Sequence, residues 1–264
     1  MAARRRNREE NTLARARVAP HVSRGGQPPL SAEAPVTLVV NDRELATLLC
    51  TPADLRELTV GWLFAEGLID SSAEIVSLAG CANEREMLVR TEPDRTAELG
   101  ERWRLVTSGC GAGANPGALR AEGVPRVGSG LRLGLPRLRE LAREMLRGAA
   151  MYKQTGGVHA AALVSASGIL VQREDIGRHN AVDKAIGHAL LAGLRLDECA
   201  LVSTGRLSSE MAWKAARAGL EIAASISIPS TLAKQIAEAA GQTLVGRIAS
   251  REPWVYTHAE RVAE

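Results

Sequence analysis

The last third of the sequence alternates between strand-like and helix-like segments, and this alternation constrains the fold more than any other feature. Apolar runs typical of strands cover residues 200–203, 222–226, 243–248 and 254–256, and segments with helical spacing cover 208–218 and 231–239. A strand, a helix and a second strand in succession favour parallel strands in one sheet with the helices packed on its faces. We therefore expect an α/β protein, a layered α/β/α sandwich with a mixed sheet.

The earlier part of the chain is richer in strands. Its patterns predict a hairpin with strands 36–40 and 44–50 about the turn Asn41-Asp42. Further hairpins are predicted over 74–91 and 158–172. We expect an N-terminal β-rich portion in front of the α/β portion.

Three helices are predicted outside the last third. Thr51 and Pro52 are typical of a helix N-cap and a first helical position, and Gly67 is typical of the end of that helix. The spacing of apolar residues predicts a second helix over 136–148, and a third helix begins near His179.

Composition divides the chain into two parts. Residues 1–31 are rich in Arg, Gly and Pro and contain few large apolar residues, so they predict a disordered tail. Residues 32–264 predict one domain, with a β-rich part to about residue 105, a glycine-rich loop at 107–117 and an α/β part over 150–264.

Charge and hydropathy exclude several classes of protein. The net charge of +3 comes from the first thirty residues, where seven arginines face two glutamates, so the body of the chain lacks the basic character of a nucleic-acid-binding protein. No uninterrupted apolar stretch reaches the eighteen or so residues that a membrane span needs. The four cysteines show no paired spacing, which favours reduced thiols. We expect a cytoplasmic protein that binds neither nucleic acid nor membranes.

Cys110 is the first candidate for chemistry. It stands between Gly109 and Gly111, where small neighbours leave a thiol accessible and backbone N–H groups can stabilise the reactive thiolate. An ordinary free cysteine in a turn has the same local sequence, and spacing alone leaves both interpretations open.

The second candidate is the polar run REDIGRHNAVDK at 173–184. On a helix that begins near His179, the side chains of His179 and Asp183 share one face, and Asn180 and Lys184 share another. This run can orient an anionic ligand, or it can be the solvated end of a helix. The combination of Gly, His and Asn with the charges favours a binding site.

The third candidate is a pair of strand-to-helix corners. The first contains Gly205, Arg206 and Ser208, and the second covers residues 227–231. Free N–H groups at a helix start, together with hydroxyl and guanidinium groups, bind anions. We expect the two corners side by side at the carboxyl edge of the sheet. The alternative is two capped helices without a ligand. The spacings of Walker and dinucleotide-binding loops are absent.

Seven segments occur in a characteristic order along the chain. They are LCTP at 49–52, GWLFAEG at 61–67, SGCG at 108–111, TGGVH at 155–159, the run 173–184, Gly205-Arg206 with Ser208 and Glu210, and LVG at 244–246. In these segments and their order, the chain resembles the FdhD family of formate dehydrogenase accessory sulfurtransferases. The resemblance spans about residues 36–258, and the run 173–184 is its most specific part.

The resemblance implies a sulfurtransferase whose fold is similar to the cytidine deaminase sandwich. Its cysteine, here Cys110, accepts sulfane sulfur from a cysteine desulfurase as a persulfide. The sulfur then passes to the molybdenum or tungsten bis(molybdopterin guanine dinucleotide) cofactor of formate dehydrogenase. The cofactor is bound as cargo, and no resident metal is expected. The sequence leaves the oligomeric state open, with a homodimer as one alternative.

The resemblance places cofactor binding near the C-terminus, and the residue-based candidates add to it. The stretch 247–252 comes from the resemblance, and the corner and the polar run supply the rest. The predicted cofactor-binding residues are Arg247, Ile248, Ala249, Ser250, Arg251, Glu252, Gly205, Arg206, Ser208, His179, Asn180 and Lys184.

Two positions depart from the family pattern. Gly113 and Ala114 stand where a second Cys-Gly is usual, so a relay between two thiols of the loop is missing. Arg247 replaces a residue that is usually aromatic, which removes a stacking surface and adds a charge suited to phosphate. The alternatives are a cofactor-binding chaperone without sulfur transfer and a degenerate deaminase-like enzyme, which requires zinc.

Overall fold

The computed structural model of the protein describes residues 29–81, 85–96, 123–128 and 130–263. The predicted glycine-rich loop at 107–117 and nearly all of the predicted tail lie outside these residues. The described strands form a four-stranded sheet of order β2-β1-β4-β3 and a six-stranded sheet of order β10-β9-β8-β7-β5-β6. The strands are β1 Ala34–Val40, β2 Arg43–Cys50, β3 Ile75–Gly80, β4 Glu86–Thr91, β5 His159–Ser165, β6 Gly168–Asp175, β7 Ala200–Ser203, β8 Ile222–Ser225, β9 Thr243–Gly246 and β10 Trp254–Val255. The helices are α1 Leu55–Glu66, α2 Leu135–Gly148, α3 Ala150–Thr155, α4 Arg178–Leu191, α5 Ser209–Arg217 and α6 Thr231–Ala240.

The four-stranded sheet contains the predicted N-terminal hairpins. Strands β1 and β2 pair antiparallel about Asn41 and Asp42, whose φ angles of 49° and 64° suit a tight hairpin turn. Strands β3 and β4 also pair antiparallel, and β1 pairs parallel with β4. Both hairpin predictions are confirmed, and the parallel pairing joins the two hairpins into one mixed sheet.

The predicted start of the first helix is wrong. Helix α1 begins at Leu55, and Asp54, with φ 54°, stands at its N-cap position. Thr51 is engaged elsewhere, because its N–H donates to Asp175 Oδ2 (3.0 Å) and its hydroxyl accepts from the N–H of Ile176 (3.0 Å). The predicted end at Gly67 is confirmed, with φ 82°.

The six-stranded sheet is the centre of an α/β fold. Strands β7, β8 and β9 pair parallel, as the alternation predicts, and β5, β6 and β10 pair antiparallel. Apolar side chains of α4, α5 and α6 cover one face of this sheet. Helix α2 covers the other face with Leu138, Leu141 and Met145. Among the described residues, no helix combines the length and apolar character needed to cross a bilayer.

Helices α1 and α4 cross in direct backbone contact. A Cβ atom at Gly61 would lie 1.8 Å from the carbonyl oxygen of Asp183, and one at Gly187 would lie 1.9 Å from the carbonyl oxygen of Glu57. Only glycine permits such an approach at both positions. This crossing fixes α4 between α1 and the sheet, and it therefore fixes the positions of the polar residues that α4 carries.

Candidate functional site

Three turns meet at the carboxyl edge of the parallel strands. They follow β7, β8 and β9 and cover residues 204–208, 226–230 and 247–250. The N–H of Leu207 donates to Ile228 O (3.3 Å), and the N–H of Arg247 donates to Ser227 O (2.7 Å). The two predicted corners therefore lie side by side, and the third turn adjoins them.

The first turn leads into helix α5. Ser208 is its N-cap residue, and the Ser208 hydroxyl lies 3.2 Å from Nε2 of His179. Gly205 is enclosed, because a Cβ atom there would lie 2.6 Å from Cβ of Arg178. Arg206 is exposed beside it. The structure thus brings four of the predicted residues together here, namely His179, Gly205, Arg206 and Ser208.

Burial controls the charge of this turn. It lowers the pKa of His179 to about 2, and the nearby Lys214 and Arg178 add to the effect. Burial also lowers the pKa of His159, whose Nδ1 lies 3.1 Å from the hydroxyl oxygen of Thr204. Both imidazoles are therefore neutral at neutral pH. Fixed positive charge at this turn comes from arginine.

The third turn carries an exposed arginine beside an aromatic ring. Arg247 has φ 53°, and its Cζ lies 5.8 Å from the ring centroid of Trp254. Trp254 is 53% exposed, and Tyr256 packs beside it with ring centroids 6.2 Å apart. Sequence reasoning missed Trp254, which the pairing of β10 with β9 sets opposite Gly246 and therefore beside Arg247. The chain thus has an exposed aromatic surface beside Arg247.

The remaining residues of the stretch 247–252 lie in different environments. Ile248 is fully buried in the core between the sheet and α2. The carbonyl oxygen of Ala249 accepts a hydrogen bond from Arg143 (3.3 Å), and Ser250 is half-buried. Arg251 and Glu252 are exposed. Ligand contact by any of these residues stays a prediction.

The polar run 173–184 divides into two groups. Lys184 is fully buried, with Nζ 2.6 Å from Asp175 Oδ2 and 3.0 Å from Thr51 O. Asn180 donates to Asp175 Oδ1 (3.0 Å) and to the carbonyl of Leu49. Asn180 and Lys184 therefore lie in the interior, apart from the group around His179, and their place in a ligand site stays a prediction.

Comparison with known proteins places the chain in a family. Residues 31–263 match the model of the FdhD/NarQ family. The chain belongs to this family. The sulfur carrier proteins FdhD of Shouchella clausii and Bacillus subtilis are 39% and 35% identical to it, over 89% and 88% of this chain and 90% and 89% of their own. The crystal structure of a putative formate dehydrogenase accessory protein from Desulfotalea psychrophila matches with a TM-score of 0.70 and 28% identity, covering 88% of this chain and 90% of that one.

The cysteine that the FdhD resemblance designates, Cys110, lies outside the described residues, but the structure describes both flanks of its segment. Before it, Arg95 pairs with Asp70 (3.0 Å), which also pairs with Arg217 at the end of α5. After it, Glu221, the residue before β8, pairs with Arg261 (2.9 Å) and accepts two backbone N–H groups from residues 130 and 131. Both flanks lie near the amino edge of the parallel strands, opposite the three turns.

The other three cysteines are poor thiolates. Burial raises the pKa of Cys50 to about 12 and that of Cys199 to about 11. The pKa of Cys81 is also raised, chiefly by its hydrogen bond to Glu86. Among the described residues, no three His, Cys, Asp or Glu side chains are grouped so that they could hold a metal ion.

A buried charge cluster behind the edge escaped the sequence analysis. Lys214 Nζ lies 2.5 Å from Asp183 Oδ2, and Glu66 and Glu210 are close enough to influence Lys214. Glu210 Oε2 lies 3.2 Å from His179 Nε2, so the cluster reaches the edge. Glu210 and Lys214 are four residues apart on α5, which places them on one helix face. That spacing was the available signal.

Proposed function

We propose that this member of the FdhD/NarQ family is a sulfurtransferase that serves formate dehydrogenase. A cysteine desulfurase supplies sulfane sulfur, and Cys110 carries it as a persulfide to the molybdenum or tungsten bis(molybdopterin guanine dinucleotide) cofactor. The junction of three hydrogen-bonded turns at one sheet edge carries the proposal, because it combines helix N-termini with exposed arginines in a chain related to sulfur carrier proteins.

The chemistry of the edge supports binding of the nucleotide ends of the cofactor. The N-termini of α5 and α6 offer partial positive charge and N–H donors, and Arg206, Arg247 and Arg251 offer charge-assisted hydrogen bonds to phosphate. Trp254 offers a flat apolar face to a nucleobase. The set suits the charge of a guanosine diphosphate group and its aromatic base.

The sulfur step follows from thiol chemistry. The Cys110 thiolate attacks the terminal sulfur of the desulfurase persulfide, a new S–S bond forms on Cys110, and the desulfurase cysteine leaves as a thiolate. The raised pKa values of Cys50, Cys81 and Cys199 support Cys110 as the acceptor, since thiols that stay protonated react slowly.

A calorimetric titration with GDP tests the cofactor half of the proposal. We expect GDP to bind the wild type, and Arg206→Ala and Arg251→Ala each to weaken binding by about 1.5 to 3 kcal/mol, as for the loss of one charge-assisted hydrogen bond. Arg195→Ala is the matched control, because Arg195 is exposed at the opposite edge before β7. Absence of GDP binding to the wild type rejects this half.

Mass spectrometry tests the sulfur half. After incubation with a cysteine desulfurase and cysteine, we expect one added sulfur on the peptide that contains Cys110. Cys110→Ser should lose this sulfur and formate dehydrogenase maturation, while Cys81→Ser, the matched control, retains both. Normal maturation by Cys110→Ser contradicts the assignment.

The second candidate function is a cofactor-binding chaperone without sulfur transfer. Gly113, in place of a second loop cysteine, favours it. GDP binding without labelled sulfur on Cys110 would select this candidate. A cytoplasmic location, a homodimer and a cytidine deaminase-like sandwich stay predictions drawn from the sequence and the family resemblance.

A further inference from the structure

Glu210 and His179 form a contact pair beside residues 204–208, in which His179 is buried and Glu210 is half-buried. Glu210 lies in the first turn of helix α5, and its Oε2 is 3.2 Å from Nε2 of His179, which also faces the Ser208 hydroxyl at 3.2 Å. The two side chains are 18% and 8% exposed. Nε2 of His179 thus faces two oxygens, those of Glu210 and Ser208. The number of protons that these three side chains carry determines which atom donates each hydrogen bond.

Charged groups on three helices surround Glu210. Lys214 lies on α5 itself, and Arg178 and Asp183 lie on α4. Glu66 on α1 interacts with Glu210 from the far side of this cluster. Burial outweighs the two cations and raises the pKa of Glu210 to about 7, whereas His179 stays neutral. Glu210 is therefore the member of the pair that changes protonation near neutral pH.

The position of Glu210 opposes an incoming anion. Its carboxylate occupies the first turn of α5, where free N–H groups and the helix dipole favour negative charge. A diphosphate that binds at residues 204–208 would bring further negative charge to the same helix end. Protonation of Glu210 removes one of the competing charges and leaves the hydrogen bond to His179 available.

We propose that binding of a nucleoside diphosphate at residues 204–208 is coupled to the uptake of one proton from solvent by the His179–Glu210 pair. The inference rests on the proposed function, because it concerns the same ligand edge. No covalent bond changes, since the proton adds to a carboxylate oxygen of Glu210. The pair thus makes ligand affinity depend on pH.

Calorimetry of GDP binding to the wild-type protein in two buffers of different ionisation enthalpy measures the proton uptake directly. Work at pH 7.5 to 8.5 keeps the phosphates of GDP ionised, because phosphate monoesters finish ionising above a pKa of about 6. We expect uptake that approaches one proton at pH 8.5, and an affinity that falls about tenfold per pH unit above pH 7. GDP binding without proton uptake overturns this inference and leaves the proposed function intact, whereas no GDP binding at any pH overturns both.

The variant Glu210→Gln keeps the shape and removes the titration. We expect it to take up no proton, to bind GDP with a pH-independent affinity, and to exceed the wild type at pH 8.5 by up to about thirtyfold. The matched control is Glu238→Gln, an exposed carboxyl near the end of α6 that should retain the wild-type pH dependence. Unchanged proton uptake in Glu210→Gln would assign the proton to another group and overturn the inference.

Discussion

Two buried ion pairs occupy neighbouring positions of helix α4, and they differ in how completely their polar atoms are satisfied. In the first pair, Lys184 and Asp175 are 2.6 Å apart. Both oxygens of Asp175 accept further hydrogen bonds, from the N–H groups of Thr51 and Gly177 and from Asn180. Lys184 also donates to the carbonyl of Thr51. This pair joins β6, α4 and the segment before α1 in one arrangement.

The second pair, Lys214 and Asp183, has fewer hydrogen bonds to its polar atoms among the described residues. Lys214 and Asp183 are 2.5 Å apart, but Oδ1 of Asp183 and Oε2 of Glu66 are buried without a hydrogen-bond partner among the described residues. Three carboxyl groups, those of Asp183, Glu66 and Glu210, surround the one ammonium group of Lys214. Burial raises the pKa of Glu66 to about 7, as it does that of Glu210.

The difference between the pairs indicates different roles. The Lys184–Asp175 pair keeps one charge state and is structural, whereas the carboxyl groups around Lys214 can change protonation. Burial raises the pKa of both Asp175 and Asp183, so burial alone does not distinguish the pairs. The hydrogen bonds distinguish them. Four donors hold the Asp175 carboxylate in its charged form, whereas a buried carboxylate oxygen without a donor in the described part of the chain, as in Asp183, favours protonation. The Lys214–Asp183 pair is the one whose cluster extends to the ligand edge, through Glu210.

The largest expected effect comes from breaking the first pair. Lys184→Met leaves Asp175 buried without its cation, and we expect a loss of about 3 to 5 kcal/mol in the free energy of unfolding, measured by urea denaturation at pH 7. Lys214→Met is the matched variant. It should cost less, because the carboxyl groups near Lys214 can take up protons. Equal losses would remove the distinction between the pairs.

The next effect concerns Glu66 and changes with pH. A pKa of about 7 in the folded protein, against 4.5 for the free side chain, means that the folded state binds more protons between these pH values. The wild type therefore loses stability as the pH rises from 4.5 to 7. Glu66→Gln avoids this loss, so we expect it to be about 1 to 3 kcal/mol more stable than the wild type at pH 8 and no more stable at pH 4.5.

The control for Glu66 is an exposed carboxyl group. Glu140 lies on α2, is 63% exposed and pairs with Arg137 three residues earlier. Glu140→Gln should change stability by less than about 0.5 kcal/mol at either pH. If Glu66→Gln changes the free energy of unfolding as little as this control does, ionisation of the buried Glu66 carboxyl group does not destabilise the folded protein.

The sequence predicted those parts of the fold that depend on the backbone preferences and periodicity of neighbouring residues. The turn at Asn41-Asp42, the end of α1 at Gly67 and the parallel strands β7 to β9 follow from backbone preference and periodicity. The adjacency of the anion corners follows from the parallel sheet. These features need no knowledge of distant residues.

Features that depend on distant residues could not be predicted in this way. Thr51 fails as an N-cap because its hydroxyl accepts from the N–H of Ile176, 125 positions later. Helical spacing does not show that Lys184 is buried, because its burial depends on Asp175 at the end of β6 and on the carbonyl of Thr51. Trp254 lies beside Arg247 because β10 pairs with β9 and sets Trp254 opposite Gly246, a pairing that the sequence pattern does not reveal.

The smallest expected effect tests whether the first pair holds a single charge state. Thr51→Val keeps the shape of the side chain but removes the oxygen that accepts from the N–H of Ile176. We expect a cost of about 0.5 to 1.5 kcal/mol, the net contribution of one part-buried hydrogen bond. Because four hydrogen-bond donors hold Asp175 in its charged form, urea denaturation should give the same cost at pH 5.5 and at pH 8.5. A cost that varies with pH would mean that Asp175 also exchanges its proton, and the two pairs would then differ in degree rather than in kind.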